Sequence, residues 1–373
     1  MSETVIVGGG LAGAAAGALL ARAGGRAVIL ERETEPRDKI CGEFLSTEAQ
    51  AHLAALGLDL APLGATRIVG VRLAAGRRLV ESPLPFGALG LSRRRLDEAL
   101  LAHAASLGAK VERGVSVRRL CGATAETSAG DLAAPTLLLA SGKHEVRGAR
   151  RDSTDALKGM VGFKSYFRVT PAQAAALDGF VEVVLFEGGY AGLQLVEGGR
   201  ANLCLLASHA RFEAAGRTWP GLLGELLREP HLARRLGDAE ELSERPITIA
   251  DVPYGFLHGE GDRPGLYRLG DQAAVIPSFS GDGMAIALHS ARLAASAVLA
   301  GEEAGPYHAR LRADVGRQVG LATWLQRRTE GWPGRHAAAV VLGLAPGALG
   351  ALAAWTRVSP RALRRAGVAP TRA

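Results

Sequence analysis

The chain has 373 residues, 48% of them hydrophobic and 22% charged, with a formal net charge of +7. That length suits two domains, or one large α/β unit with an insertion, and the apolar share is ample for a core. Cys41, Cys121 and Cys204 form no C-x-x-C pair and no H-E-x-x-H pattern occurs. Neither a disulfide framework nor a metal site is indicated, and a reducing cytoplasm fits.

Six arginines and no acidic residue lie between Gly331 and Ala373, so this tail carries +6 and the rest about +1. Nucleic acid would need a basic stripe interleaved with aromatics, which are only 5% of the chain, so no nucleic-acid partner is expected. The first strand is expected within four residues of Met1, so no signal peptide is expected.

Val5-Ile6-Val7 leads into Gly8-Gly9-Gly10-Leu11-Ala12-Gly13 and an alanine-rich run to Leu20. Strand, tight turn and helix start in that order are the context that gives G-x-G-x-x-G a dinucleotide meaning. Gly8 permits the turn, Gly10 clears the backbone for a pyrophosphate, and Gly13 lets the helix pack on the strand, with Ala12 in the same first turn. The helix N-terminus then holds the phosphates. Gly24-Gly25 ends the helix, Ala27 to Leu30 is a second buried strand, and Glu31 follows 23 residues after Gly8. An acid there accepts hydrogen bonds from ribose hydroxyls.

Further on, Ser46 is an N-cap for a helix over 47–56 ended by Gly57, and 67–73 with 77–81 form a hairpin turning at Gly76. Leu91 to Leu107 is an amphipathic helix, Lys110 to Val117 a strand, and Thr136 to Ala140 a buried parallel strand. Between Gly159 and Ala207, four strand-like runs separated by glycine turns imply an antiparallel sheet, and Phe212 to Leu236 is helical. Leu266 to Leu269 returns to the first domain, before helices through Leu299, over 302–328 and from His336 onward.

The expected architecture is α/β. A Rossmann-type domain with a parallel sheet (1–155 with 260–300) is joined by an antiparallel-sheet substrate domain (156–259) and a C-terminal helical region (301–373). Ala337 to Trp355 is largely apolar, and its Pro346 and three glycines point to a packed helical hairpin, with a membrane-surface contact through the basic tail as the alternative.

Together these residues resemble the para-hydroxybenzoate hydroxylase fold group of flavoproteins, which includes flavin monooxygenases, flavin halogenases and geranylgeranyl reductases. The glycine loop with Glu31 resembles the site for the FAD pyrophosphate and adenosine ribose. Lys39-Ile40-Cys41-Gly42-Glu43 resembles the segment lying along the flavin, which implies contacts from Cys41 and Gly42. Arg93 stands where the group places an arginine on FAD, and Val117 is a further expected contact. Tyr267 to Asp271 with Gly281-Asp282-Gly283-Met284 resembles the second FAD fingerprint. It implies that Asp271 bonds the ribityl chain and that the backbone at Gly283 and Met284 faces the flavin pyrimidine edge.

The chain also departs from the group. Ser141-Gly142 replaces the Asp-Gly of flavin monooxygenases, so a separate flavin reductase or another donor is expected rather than direct NAD(P)H. The halogenase Trp-x-Trp-x-Ile-Pro and reductase Tyr-x-Trp-x-Phe-Pro motifs are absent. The resemblance implies an FAD-dependent monooxygenase of a hydrophobic or aromatic small molecule, cytoplasmic or peripheral to the membrane. A reductase of an isoprenoid or polyketide, and a flavin-binding docking protein without chemistry, are the alternatives. Phe163, Tyr166, Phe186, Tyr190 and Leu193 are candidates for the pocket wall, although alternation along the strands excludes at least two. His144 and His289 are expected to be structural.

Overall fold

The computed structural model describes residues 3–154, 156–329 and 346–369. Strand β1 (Thr4–Val7) runs into Gly8, helix α1 (Leu11–Arg22) follows, and β2 (Ala27–Glu31) returns parallel to β1. Gly8 sits at φ +104°, and a Cβ there would lie 2.5 Å from the Ala140 carbonyl oxygen. A Cβ on Gly13 would lie 1.9 Å from the Gly8 carbonyl oxygen, so glycine alone lets α1 come this close to the turn. After β3 (Phe44–Leu45), α2 (Thr47–Leu56) starts with Ser46 accepting from Ala49 N–H at 3.4 Å and ends at Gly57, φ +84°.

β4 (Thr66–Ala75) and β5 (Arg78–Gly90) form the expected hairpin, and α3 (Arg93–Ser106) follows under a Ser92 cap. The single strand expected over 110–117 is instead two. β6 (Lys110–Arg113) pairs with β2, and β7 (Val117–Cys121) joins β8 (Thr124–Thr127) and β9 (Gly130–Ala133) in a separate antiparallel sheet. Gly114, at φ +74°, turns the chain between β6 and β7. β10 (Thr136–Leu139) then pairs with β1.

The second sheet opens with β11 (Met160–Arg168), α4 (Pro171–Leu177), β12 (Gly179–Phe186), β13 (Gly189–Leu195) and β14 (Arg200–Ser208). The helix expected over 212–236 is three pieces, α5 (His209–Ala214), α6 (Trp219–Leu226) and α7 (Pro230–Leu236). Arg217 at φ +55° breaks it once, and Pro220 and Pro230 sit in the first turns of the later pieces, where proline is tolerated. β15 (Glu240–Glu241), β16 (Ile247–Ala250) and β17 (Leu266–Arg268) follow, then α8 (Gly283–Leu299), α9 (Ala304–Thr329), α10 (Pro346–Trp355) and α11 (Pro360–Arg365).

Five parallel strands in the order β17-β10-β1-β2-β6 make the nucleotide sheet. Alternate residues divide between two cores: Ile6, Ile29 and Leu138 face α1, α3 and α8, while Val5, Val28 and Leu137 face the three-stranded sheet. The nine-stranded sheet runs β15-β11-β14-β13-β12-β4-β5-β3, with β16 also on β11. β4 lies parallel to β12, so the hairpin 66–90 belongs to this sheet although α3, which follows it, packs on α1.

α5 to α7 cover one face of the nine-stranded sheet. Phe163 stacks on Trp219 at 5.6 Å and Phe186 lies in the same core, so both are covered by these helices. The apolar stretch 337–355 falls outside the described residues up to 345; from 346 it is α10, packed on β5. Among the described residues no helix is long and apolar enough to cross a membrane.

Two buried histidines make this core sensitive to acid. His52 on α2 meets His289 on α8 with ring centroids 5.4 Å apart, and neither His52 nitrogen has a hydrogen-bond partner among the described residues. Burial first, then His289 and Arg292, lowers its pKa to about 3. Burial likewise lowers His308 on α9 to about 3. Unfolded histidine titrates near 6.5, so protons bind the unfolded chain first and stability falls as pH drops below that value. From pH 7 to pH 5 the pair should remove about 4 kcal/mol of urea-unfolding free energy. His52→Leu should abolish about half of this, and an unchanged pH dependence would exclude His52 as a cause.

Candidate flavin site

A cavity of about 1210 Å³ lies between the nucleotide sheet, the nine-stranded sheet and α10. Two helix N-termini open on it. α1 begins at Gly10 and α8 at Asp282, with no side-chain cap and no acidic residue in either first turn. Their leading N–H groups and positive dipole ends are therefore left for an anionic ligand.

Gly8, Gly10, Ala12 and Glu31 border the cavity on the side of the first turn. Cys41, Gly42 and Arg93 border it from the loop after β2 and from α3; Val117, Asp271, Gly283 and Met284 complete the expected set. Gly13 does not line it, because its place is taken by the close approach to Gly8. Of the five expected wall residues, Tyr190 and Leu193 border the cavity, whereas Phe163, Tyr166 and Phe186 do not.

Charge is arranged around the first turn. Arg93 makes a bidentate pair with Asp97 at 2.7 and 2.9 Å, and Lys39 reaches the same carboxylate at 2.8 Å. Burial works against Asp97 ionising, but Arg93 and Lys39 outweigh it and hold the carboxyl below its usual range. A Cβ on Gly10 would sit in ordinary contact, 3.5 Å from Lys39 Nζ, 3.6 Å from an Arg93 nitrogen and 3.7 Å from Asp97 Oδ2, so two cations and one carboxylate make a net-cationic niche facing this glycine. Glu31 accepts from Gly9 N–H at 2.8 Å through Oε2 and from Glu33 N–H at 3.0 Å through Oε1. Each oxygen keeps a lone pair for a further donor. At the other end, Asp271 accepts from Lys143 at 3.1 Å; burial opposes its ionisation, and Lys143, Arg151 and Arg93 prevail to lower its pKa.

A buried cluster that sequence reasoning missed holds the loop 39–43. Lys164, fully buried on β11, donates to Glu43 and to the Lys39 carbonyl at 3.0 Å. The same Glu43 oxygen accepts from Arg93 N–H at 2.7 Å and Tyr166 O–H at 2.8 Å. Burial raises the Glu43 pKa against the pull of Lys164, and its backbone is held at φ +60°. A lysine inside the apolar run 161–167 was the available signal. Asn202 anchors the Cys41 and Gly42 carbonyls at 3.2 and 2.9 Å. Burial pushes the Cys204 thiol up to about 12, so it stays protonated at neutral pH.

The expected structural histidines are partnered. His289 bonds Asp314 at 2.9 Å away from the cavity, and His144 meets Arg32 at 2.8 Å at its rim. His258, Asp262 and His308 come within 4.8 Å of one another. Arg268 already occupies both Asp262 oxygens, at 2.7 and 2.9 Å, and its N–H takes up His308 Nε2. Arg268 therefore engages the trio through an ion pair with Asp262 and a backbone hydrogen bond to neutral His308.

A family model described as FAD binding domain matches residues 1–130. Menaquinone reductase of Mycolicibacterium smegmatis is 27% identical over 322 residues, covering 80% of this chain and 77% of that protein. Flavin-dependent halogenase armH3 of Armillaria mellea is 25% identical over 359 residues, covering 82% and 70%. Among solved structures, the flavin-dependent brominase Bmp2 aligns with a TM-score of 0.73 at 17% identity, covering 96% of this chain and 94% of that one. Halogenase PltM, as a point mutant in complex with FAD, aligns at 0.70 and 17%, covering 88% and 76%. With its FAD-binding domain, the chain is an FAD-dependent oxidoreductase with the fold of the para-hydroxybenzoate hydroxylase group.

Proposed function

We propose that this chain uses FAD to transfer an oxygen atom to a bulky apolar molecule held against the nine-stranded sheet. The observation that carries the reading is the sheet-side wall of the cavity. Val71, Leu73, Val181, Val183 and Leu185 line it, and no charged side chain interrupts them. Such a wall selects by shape and apolar area and excludes water.

The residues fit the cofactor: two uncapped helix ends, a cationic niche at Gly10 and a carboxylate at Glu31 with lone pairs to spare. Gly10, Lys39 and Arg93 would hold the pyrophosphate, Glu31 the adenosine ribose and Asp271 the ribityl chain. The α8 N-terminus at Gly283 and Met284 would favour negative charge at the pyrimidine edge. Bound FAD supplies the two-electron redox chemistry. The described residues of 3–65, 91–154 and 260–300 would hold the cofactor, 156–259 with the hairpin 66–90 would roof the substrate, and the described residues of 301–369 would close the site.

Tyr190 O accepts from Phe279 N–H at 3.1 Å and its hydroxyl meets the Ser278 side chain, which holds a phenol at the cavity wall within reach of a substrate oxygen. Burial keeps that hydroxyl protonated by raising its pKa well above the ordinary value. Ser141 Oγ donates to the His144 carbonyl at 2.8 Å rather than offering an acidic group to a nicotinamide, which favours a separate flavin reductase or another electron donor. A second reading, reduction of a double bond in the same kind of molecule, draws on the similarity to menaquinone reductases and on the Tyr190 proton that hydride addition requires.

Chemically reduced enzyme, incubated with phenolic, polyketide and polyprenyl compounds under labelled oxygen, separates the two. Gain of one labelled oxygen atom in a product is the expected result. Anaerobic saturation of a polyprenyl chain, with no oxygen incorporated in air, would replace the first reading by the second.

A further inference from the structure

α10 is apolar on every side: its ten residues read PGALGALAAW. A helix of this kind belongs in a core or in lipid. Among the described residues, only one side of α10 is buried in protein. Leu349 packs into the core of β4 and β5, and a Cβ on Gly350 would lie 2.9 Å from the Pro83 carbonyl. The opposite side presents Ala351, Ala354 and Trp355 to the exterior, Trp355 being 69% exposed.

The same helix walls the cavity. Ala351, Leu352 and Trp355 border it, so the cavity reaches the surface at Trp355. Leu325 of α9 borders it too, and the neighbouring Trp324 is 53% exposed with the Arg328 guanidinium 5.4 Å from its ring. Just beyond α10, Arg361 and Arg364 on α11 are exposed, and the 43 residues from 331 to 373 contain no acidic group. Tryptophan favours the boundary between lipid and water, and arginines are drawn to anionic headgroups.

We propose that the outer face of α10, with Trp355 and Trp324 beside it, lies on an anionic bilayer surface. The cavity then opens to lipid, and an apolar substrate enters it laterally from the membrane instead of crossing water. The second step rests on the apolar-substrate reading above; the docking itself does not.

The test floats the full-length, FAD-loaded chain with phosphatidylcholine vesicles, with and without phosphatidylglycerol, and with no substrate present. The expected result is flotation with the anionic vesicles and little with the zwitterionic ones, together with a blue shift of tryptophan emission. Arg361→Gln with Arg364→Gln should lower the partition about thirtyfold, from ~1 kcal/mol per arginine lost, while the visible absorbance of bound FAD is kept. Trp355→Ala should lower binding and remove most of the blue shift. Absence of flotation with either vesicle overturns the proposal. So does a dimer in sedimentation that Trp355→Ala abolishes, which would make a second copy the occupant. Failure of the oxygen-transfer and reduction assays would leave the flotation result standing, so the two readings fail separately.

Discussion

Glu31→Ala is expected to weaken FAD binding about tenfold to a hundredfold, the roughly 1.5–3 kcal/mol of a hydrogen bond to a charged group. The carboxylate joins two structures: Oε2 ties down Gly9 N–H in the glycine turn, and Oε1 ties down Glu33 N–H in the loop beyond β2. Alanine therefore removes a ribose acceptor and an anchor of the turn together. Glu31→Gln separates the parts. Its amide accepts through one oxygen only, so its NH2 must face either Gly9 N–H in the turn or Glu33 N–H in the loop, and an intermediate affinity is expected. Asp271→Ala should fall in the same range, since it also strands Lys143 at the cavity edge. Titration of apoprotein with FAD, followed by flavin fluorescence, measures all three. If both alanine variants bind like the parent, the roles given to the two FAD fingerprints are wrong.

The glycine turn was legible in the sequence because its constraints are local. A strand, three spaced glycines and an acid at the end of the next strand leave few alternatives, and a Cβ on Gly8 or Gly13 would meet backbone oxygen at 2.5 or 1.9 Å, closer than any side chain allows. Ser46 and Gly57 marked the ends of α2 for the same reason. What depended on distant partners was hidden. Nothing in the hairpin 66–90 says that β4 will lie parallel to β12, more than a hundred residues on. The four strands from β11 to β14 were readable as strands, but their faces were not: Phe163 and Phe186 look like pocket aromatics until α5 to α7 are seen to cover them. Lys164 and Glu43 stand 121 positions apart, and their ion pair emerges only when β11 meets the loop 39–43. Residues 337–345 of the expected C-terminal hairpin lie outside the described residues.

Arg357→Ala is expected to cost about 3–5 kcal/mol and to loosen the flavin loop, although the residue lies in what the sequence presents as an appended tail. Its guanidinium donates to the Ser280 carbonyl at 2.9 Å and the Gly281 carbonyl at 3.3 Å, and lies 3.3 Å from Asp282 Oδ1. It also packs over the rings of Phe44 and Phe86, at 5.2 and 4.9 Å. Asp282 is fully buried, with Gln318 and Val358 N–H as further donors, and burial pushes its pKa up to about 7 even with Arg357 beside it. Without the arginine, the carboxyl rises further. A carboxyl whose folded pKa is raised binds its proton more tightly when folded, so stability is lost as pH climbs from the unfolded value through the folded one. The variant should therefore be tolerated best near pH 5.5 and fail most clearly near pH 8, measured as urea unfolding and as flavin release. Arg357→Ala with Asp282→Asn removes both charges and should recover part of the loss. A single variant as stable as the parent at both pH values would show that the pair does not hold the loop. If it does hold it, truncation after Arg335 should yield flavin-free protein, because helix α8 would lose the contact that fixes its first turn.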